Sequence, residues 1–297
     1  MEGVAVLFSV VYQLATNASF LLLAGLGLIV ILGMMNIINL AHGELMMLGA
    51  YTATILYHRG VPFPLTVVAA FVVVALAGAV LERLIVRRFY GERLGALVVT
   101  WGISLVLSQG TLMLLGPFMP SIPIPSGSVS IGQYSFSVYW LILTAVTALL
   151  IVALGLLYIR TTIGLYARAT MQKPDIARAL GVNTDRIYLL TFSLGAGLAG
   201  LSGALLAPTV SIAPFMGQQF IAPAFITVVV GGATNVIAGA LGASALLSFV
   251  KTPVGFLLGA FLGNVALLFA ALIIIRLMPD GISATFQRWQ DRRSRLA

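Results

Sequence analysis

Apolar residues run through the chain in long stretches near 4–33, 37–57, 62–84, 95–116, 137–159, 187–207, 219–233, 236–250 and 255–278. One α-helix needs about 20 apolar residues to cross a hydrocarbon core. Inside lipid the backbone must satisfy its own hydrogen bonds, and a helix does so within one segment. The pattern therefore predicts an all-α, polytopic integral membrane protein with about 8–9 transmembrane helices, some short or broken. From Gly95 to Ile159, and again from Ile187 to Val250, there is no Asp, Glu, Lys or Arg. Each of these runs is long enough for two or more crossings. The segments 219–233 and 236–250 are short, and Gly231-Gly232 lies between apolar runs there. They read as a pair of short or broken helices, with a single bent helix as the alternative.

Composition agrees. Of 297 residues 60% are apolar and 8% charged, and the mean hydropathy is +1.10. A soluble domain of this size cannot hide so much apolar surface, and a disordered chain has the opposite balance. The absence of cysteine excludes a disulfide scaffold, thiolate chemistry and Cys-ligated zinc or iron–sulfur clusters. The net charge of +8 comes from basic residues between apolar runs, which is loop placement and not a nucleic-acid footprint. They gather at Arg83, Arg87, Arg88 and Arg93, at Arg160, Arg168, Lys173, Arg178 and Arg186, and at Arg288, Arg292, Arg293 and Arg295. If all three groups are cytoplasmic, the N-terminus is outside, the C-terminus inside and the crossings odd in number. The uncharged, proline-rich loop 117–137 then faces outward. MEGVAVLF lacks a basic n-region, so no cleavable signal is expected. The expected organisation is one transmembrane domain over 1–297 with a cytoplasmic loop at 160–186.

Small residues recur every fourth position at Ala196, Gly200 and Ala204, at Ala199, Gly203 and Ala207, and at Gly255, Gly259 and Gly263. Such faces let helix backbones approach closely, within the subunit or between subunits. Polar chemistry concentrates in one stretch. Asn36, Asn39, His42 and Glu44 stand among apolar residues, with Asn39 and His42 at helical spacing. A carboxylate at mid-membrane costs about 2.5–3.5 kcal/mol on insertion scales, which favours Glu44 near an interface, at a helix cap or facing a cavity. This stretch reads either as a break between helices that lines a pathway or as a satisfied structural turn. His42-x-Glu44 has too few companions for a metal site. Ser202 between Gly200 and Gly203 has no later histidine to serve as its base, so the packing reading prevails over a serine protease.

The loop 160–186 has its own signals. Pro174 suits a helix's first turn and Asp175 its positive end. Ile176, Ala177, Ala179 and Leu180 continue a short helix and Gly181 stops it. Asn183, Thr184 and Asp185 offer caps for the next membrane helix. Such a helix can press on a partner protein, or the loop can be a solvated basic segment near anionic lipid.

Several stretches together resemble the permease subunits of bacterial ABC importers for branched-chain amino acids and urea. NIINLAHGELMMLGAY (Asn36–Tyr51) is similar to the family's signature, and RATMQKPDIARALGVNTDRIYLLTF (Arg168–Phe192) to its coupling loop. LAGLSGALLAP (Leu198–Pro208) and AFITVVVGGATNVIAGALG (Ala224–Gly242) are similar to later helices. LMPDGI (Leu277–Ile282) resembles the end, with Met278 in place of Arg and Ile282 in place of Leu. The resemblance spans nearly the whole chain in the expected order. It implies a permease without an ATPase site of its own, which pairs with a second related permease and two cytoplasmic ATPase subunits that bind ATP and Mg. It further implies an external substrate-binding protein and the bacterial inner membrane. No cofactor is expected on this chain, which also has no G-x-x-x-x-G-K-[ST]. The coupling residues are expected at Arg168, Asp175, Ala177, Arg178, Ala179 and Gly181.

The expected substrate pathway draws on Asn36, Asn39, His42, Glu44, Thr100, Trp101, Ser104, Gln218, Gln219 and Asn235, with Gln109 as a further polar candidate. A lining with so few charges suits urea, amides or zwitterionic apolar amino acids. Two other classes compete: an ion-coupled secondary transporter, which also uses broken helices, and a passive channel for a small neutral solute. The first usually carries buried acids, of which only Glu44 qualifies. The second has no need of a coupling helix.

Overall fold

The computed structural model describes residues 2–35, 37–131, 134–232, 234–285 and 287. Eleven α-helices follow in order: α1 (Glu2–Met35), α2 (His42–His58), α3 (Phe63–Leu84), α4 (Arg93–Leu115), α5 (Val138–Arg160), α6 (Thr162–Gln172), α7 (Pro174–Ala179), α8 (Thr184–Leu206), α9 (Gln218–Gly231), α10 (Val236–Leu258) and α11 (Ala260–Leu277). Strands β1 (Ser128–Ile131) and β2 (Tyr134–Ser137) form an antiparallel hairpin between α4 and α5. Among the described residues, 7 helices are long and apolar enough to cross a membrane, and α9 is a shorter apolar helix of 14 residues. Helix α2, with 17 residues, spans about 25 Å at 1.5 Å per residue, less than the roughly 30 Å hydrocarbon core.

The chain groups into two compact units. One comprises residues 26–124 and 153–222, and the other residues 1–25, 125–152 and 223–297. In the first, α8 packs against both α2 and α3. The four-residue stripes predict this, and they are used within the unit: Ala196, Ala199, Gly200, Gly203, Ala204 and Ala207 are all buried. A Cβ placed on Gly49 would lie 2.5 Å from the Gly200 carbonyl carbon, and one on Gly43 would lie 2.7 Å from that of Gly217. Helix α2 therefore meets α8, and the residue before α9, backbone to backbone, and a Cβ at Gly49 or Gly43 would not fit.

In the second unit the hairpin packs on α1. The Tyr12 hydroxyl donates to the Ser137 carbonyl at 3.0 Å, and the Phe136 ring stands 4.9 Å from Phe8 and 5.0 Å from Tyr12. Here α10 packs along α11. Two expectations need correction. The segment expected at 236–250 is a full-length helix to Leu258, so only α9 of that pair is short. Gly259 lies on no helix face. It forms the turn between α10 and α11 at φ +93°, and this turn brings Gly255 and Gly263 face to face.

Candidate substrate pathway and coupling site

The polar stretch after α1 is a true interruption. Residues 37–41 are non-helical, and Ile37, Asn39 and Ala41 are buried. Asn36 lies outside the described residues. Buried backbone away from a helix needs partners, and two side chains supply them. The Leu40 N–H donates to Thr100 Oγ1 on α4 at 3.1 Å, and the Ala41 N–H donates to Asn39 Oδ1 at 3.0 Å. Thr100 Oγ1 in turn donates to its own helix at the Leu97 carbonyl, 3.0 Å away. Asn39 and His42 do not share a helix face, as their spacing suggests. Asn39 belongs to the interruption and His42 opens α2. The local bond from the Ala41 N–H to Asn39 Oδ1 competes with helix formation there.

Glu44 stands in the first turn of α2, where the helix dipole favours a negative charge. It is fully buried. Ser108 donates to its Oε1 at 3.5 Å, and Ser104, one turn away on α4, also donates to the carboxylate. The two hydroxyls replace water for one oxygen. Among the described residues, Glu44 Oε2, Asn39 Nδ2, Tyr51 Oη and Ser202 Oγ are buried without a hydrogen-bond partner. The first unit thus contains a polar seam with unused donors and acceptors. Its members are Asn39, His42 and Glu44 from the interruption and α2, with Thr100, Ser104 and Ser108 from α4.

The other expected pathway residues are placed elsewhere. Trp101 is 56% exposed and follows Thr100 onto the outer face of α4, where Gln109 is also exposed. Gln218 and Gln219 are exposed in the first turn of α9. Asn235 is exposed in the second unit and caps α10, its Oδ1 accepting from the Ala238 N–H at 3.2 Å. Sequence reasoning missed Ser108 and Tyr51. It also missed Lys251, although the signal was present: no other charge occurs between Arg186 and Arg276.

The loop 160–186 folds much as its signals predict. Thr161 caps α6 by accepting from the Gly164 N–H, Asn183 caps α8 by accepting from the Arg186 N–H, and Gly181 ends the α7 turn at φ +88°. Arg168 ties α6 to the end of α5: its guanidinium donates to the Tyr158 carbonyl and lies 5.0 Å from the Tyr158 ring centroid. Arg178 donates to Thr184 Oγ1 at 3.1 Å and lies 3.7 Å from Asp175. On α7, Ala177 is buried, whereas Asp175, Ile176, Ala179 and the following Leu180 and Gly181 are exposed. Ala177 is thus a packing residue, and the outward surface belongs to Ile176, Ala179 and Leu180.

The basic segment after α3 meets this loop. Arg87 pairs with Asp185, and the Tyr90 and Tyr188 rings stand 4.7 Å apart. The Tyr90 hydroxyl donates to the buried Glu82 carboxylate; burial first, then that carboxylate, pushes the phenol well above its ordinary value. A cavity of about 420 Å³ lies between these parts, lined by Asp175 and Arg178 of α7, Tyr90, Glu92, Tyr188, and Met35 and Ile37 beside the interruption. One space therefore joins the α7 segment to the point where α1 breaks. No group of His, Asp and Glu that could hold a metal ion occurs among the described residues.

Comparison with known proteins gives this geometry a family. Residues 10–277 match the family model described as branched-chain amino acid transport system / permease component. The chain is 28% identical over 275 residues to the "Probable branched-chain amino acid transport permease protein LivH" of Methanocaldococcus jannaschii, covering 88% of this chain and 85% of that one. It is 28% identical over 286 residues to the high-affinity branched-chain amino acid transport system permease protein BraD of Pseudomonas aeruginosa, covering 91% and 92%. It is likewise 28% identical over 284 residues to the corresponding permease protein LivH of Escherichia coli, covering 90% and 92%. No solved structure matches the chain significantly. With nine-tenths of its length aligned in this way, the chain belongs to the permease component family of branched-chain amino acid transport systems.

Proposed function

We propose that this chain is one permease subunit of an ATP-driven ABC importer that moves branched-chain or other hydrophobic amino acids, or urea and related amides, into the cell by alternating access. The observation that carries the reading is the continuity from α7 to the polar seam. Outward-facing Ile176, Ala179 and Leu180 offer a surface to a partner. Their helix borders the cavity that also touches Met35 and Ile37. The interruption beyond is held by Thr100, and α4 carries Ser104 and Ser108 on to Glu44. A push on α7 has a packed route to the seam, which is the physical requirement for coupling.

In this reading two cytoplasmic ATPase subunits bind ATP and Mg, and the chain itself carries no cofactor. A second, related permease completes the pathway, and an external binding protein delivers the solute. The protein sits in the bacterial inner membrane with its N-terminus outside and its C-terminus cytoplasmic. The Arg87–Asp185 pair supports this, since it brings two of the basic segments to one side. The basic tail from 288 onward lies outside the described residues.

The test is the outward face of α7. Ala179→Trp and Leu180→Asp are expected to abolish co-purification of the ATPase subunits, and with it uptake, while the permease stays folded in mild detergent. Ala177→Trp is expected to destabilise the permease itself, because Ala177 is buried. Full assembly and uptake in the Ala179 and Leu180 variants would refute the coupling role.

A further inference from the structure

Lys251 lies within α10, a membrane span, and is the only charged residue between Arg186 and Arg276. Its ammonium stands 5.6 Å from the centroid of the Phe20 ring on α1. No carboxylate pairs with it among the described residues. The next residue, Thr252, is buried and accepts a hydrogen bond from Asn17 Nδ2 at 3.1 Å. Within this one unit, α1 and α10 thus bring together an ammonium, an amide, a hydroxyl and an aromatic face. Lys251 is only partly buried.

A lone ammonium in a span is costly and rare, and it marks a pathway more often than a packing role. An aromatic face recovers only part of the lost hydration. What completes the site is an anion. Two sources share that chemistry, the carboxylate of a solute and the phosphate of a lipid headgroup. Lys251 lies about 10 Å along the helix from the α10 end at Leu258, at 1.5 Å per residue. That depth places the charge inside the span, farther from the headgroups than a residue at the helix end, and makes a headgroup the poorer fit.

We propose that Lys251, with Asn17 and Thr252 beside it, receives the carboxylate of the transported solute during passage. The Asn17 amide oxygen accepts from the solute's ammonium, and Phe20 faces its apolar side chain. The inference deepens the importer reading and rests on it. It selects amino acids over urea and other amides, which bring no negative charge to the lysine.

The experiment uses the complete importer in proteoliposomes, with labelled leucine uptake and ATP hydrolysis measured together while loaded binding protein is titrated. Lys251→Gln is expected to lower leucine taken up per ATP at least tenfold, with the half-saturating concentration of binding protein unchanged. Lys251→Arg keeps the charge and is expected to retain at least a third of the coupling. Unchanged uptake per ATP in Lys251→Gln, with lowered thermal stability, assigns the ammonium to lipid phosphate and overturns the proposal. Unchanged values throughout overturn it as well. If Lys251→Gln does not assemble, Asn17→Leu decides: a threefold or larger fall in the same ratio supports the site, and no change refutes it. A wild-type importer that takes up no amino acid fails the substrate reading before any variant is compared. A wild type that takes up leucine, with the glutamine variant equally coupled, fails the site alone.

Discussion

Two helix interruptions in this permease have similar sequences, Gly33-Met-Met-Asn36 and Gly232-Ala-Thr-Asn235, and different solutions. After α1 the freed backbone is largely buried, and a hydroxyl on another helix closes it: Thr100 accepts from Leu40, a partner 60 positions away in the chain. Before α10 the asparagine is exposed and caps its own helix through Ala238. Where burial excludes water, a freed N–H must find a partner across the fold; where the end is open, the nearest side chain suffices. The first interruption therefore depends on tertiary packing and can feel a movement of α4 or α7. The second is a local device. The interruption closed by a tertiary contact lies in the unit that carries α7.

The comparison can be broken most severely at the backbone contacts beneath the first interruption. Gly49→Leu forces a side chain into the Gly200 backbone. It is expected to cost about 3 kcal/mol or more and to abolish recovery of a monodisperse permease on size-exclusion chromatography. Thr100→Val preserves shape but leaves the Leu40 N–H unpaired in a partly buried site. An unsatisfied buried donor costs about 1–3 kcal/mol, so the thermal midpoint in detergent should fall clearly, and Thr100→Ser should restore most of it. Asn235→Ala should be mildest. Losing an N-cap costs about 1 kcal/mol, Asn235→Ser should recover it, and uptake should be little changed. Equal effects of Thr100→Val and Asn235→Ala would show that the two interruptions do not differ as described.

Much of this was legible in the chain. Unbroken apolar runs located the spans, because hydrophobic length and helix formation are local properties. The loop 160–186 was legible in detail, since Pro174, Asp175 and Gly181 act on the neighbouring backbone of α7 and Asn183 caps α8. The four-residue stripes on α8 foretold its central packing in the first unit. The stripe at 255–263 misled, because glycine at every fourth position marks a helix face and a chain reversal alike, and Gly259 takes the reversal at φ +93°. The site was legible only in part. Polar residues in apolar surroundings singled out Asn39, His42, Glu44, Thr100 and Ser104, but residue type does not encode facing. Trp101 sits one position from Thr100, a turn of about 100° on a helix, and it is exposed while Thr100 is buried.

The sequence by itself determined the membrane class, the approximate spans, the short α7 with its stop at Gly181, the Asn183 cap of α8 and the family resemblance. All of these follow from properties that act within a few turns of the chain. The tertiary structure alone decided that Thr100 closes the backbone at Leu40, that Glu44 is buried under Ser104 and Ser108, and that Lys251 stands by Phe20 with no carboxylate paired to it among the described residues. Each of these pairs residues far apart in the chain, and such pairings depend on which helix faces pack together.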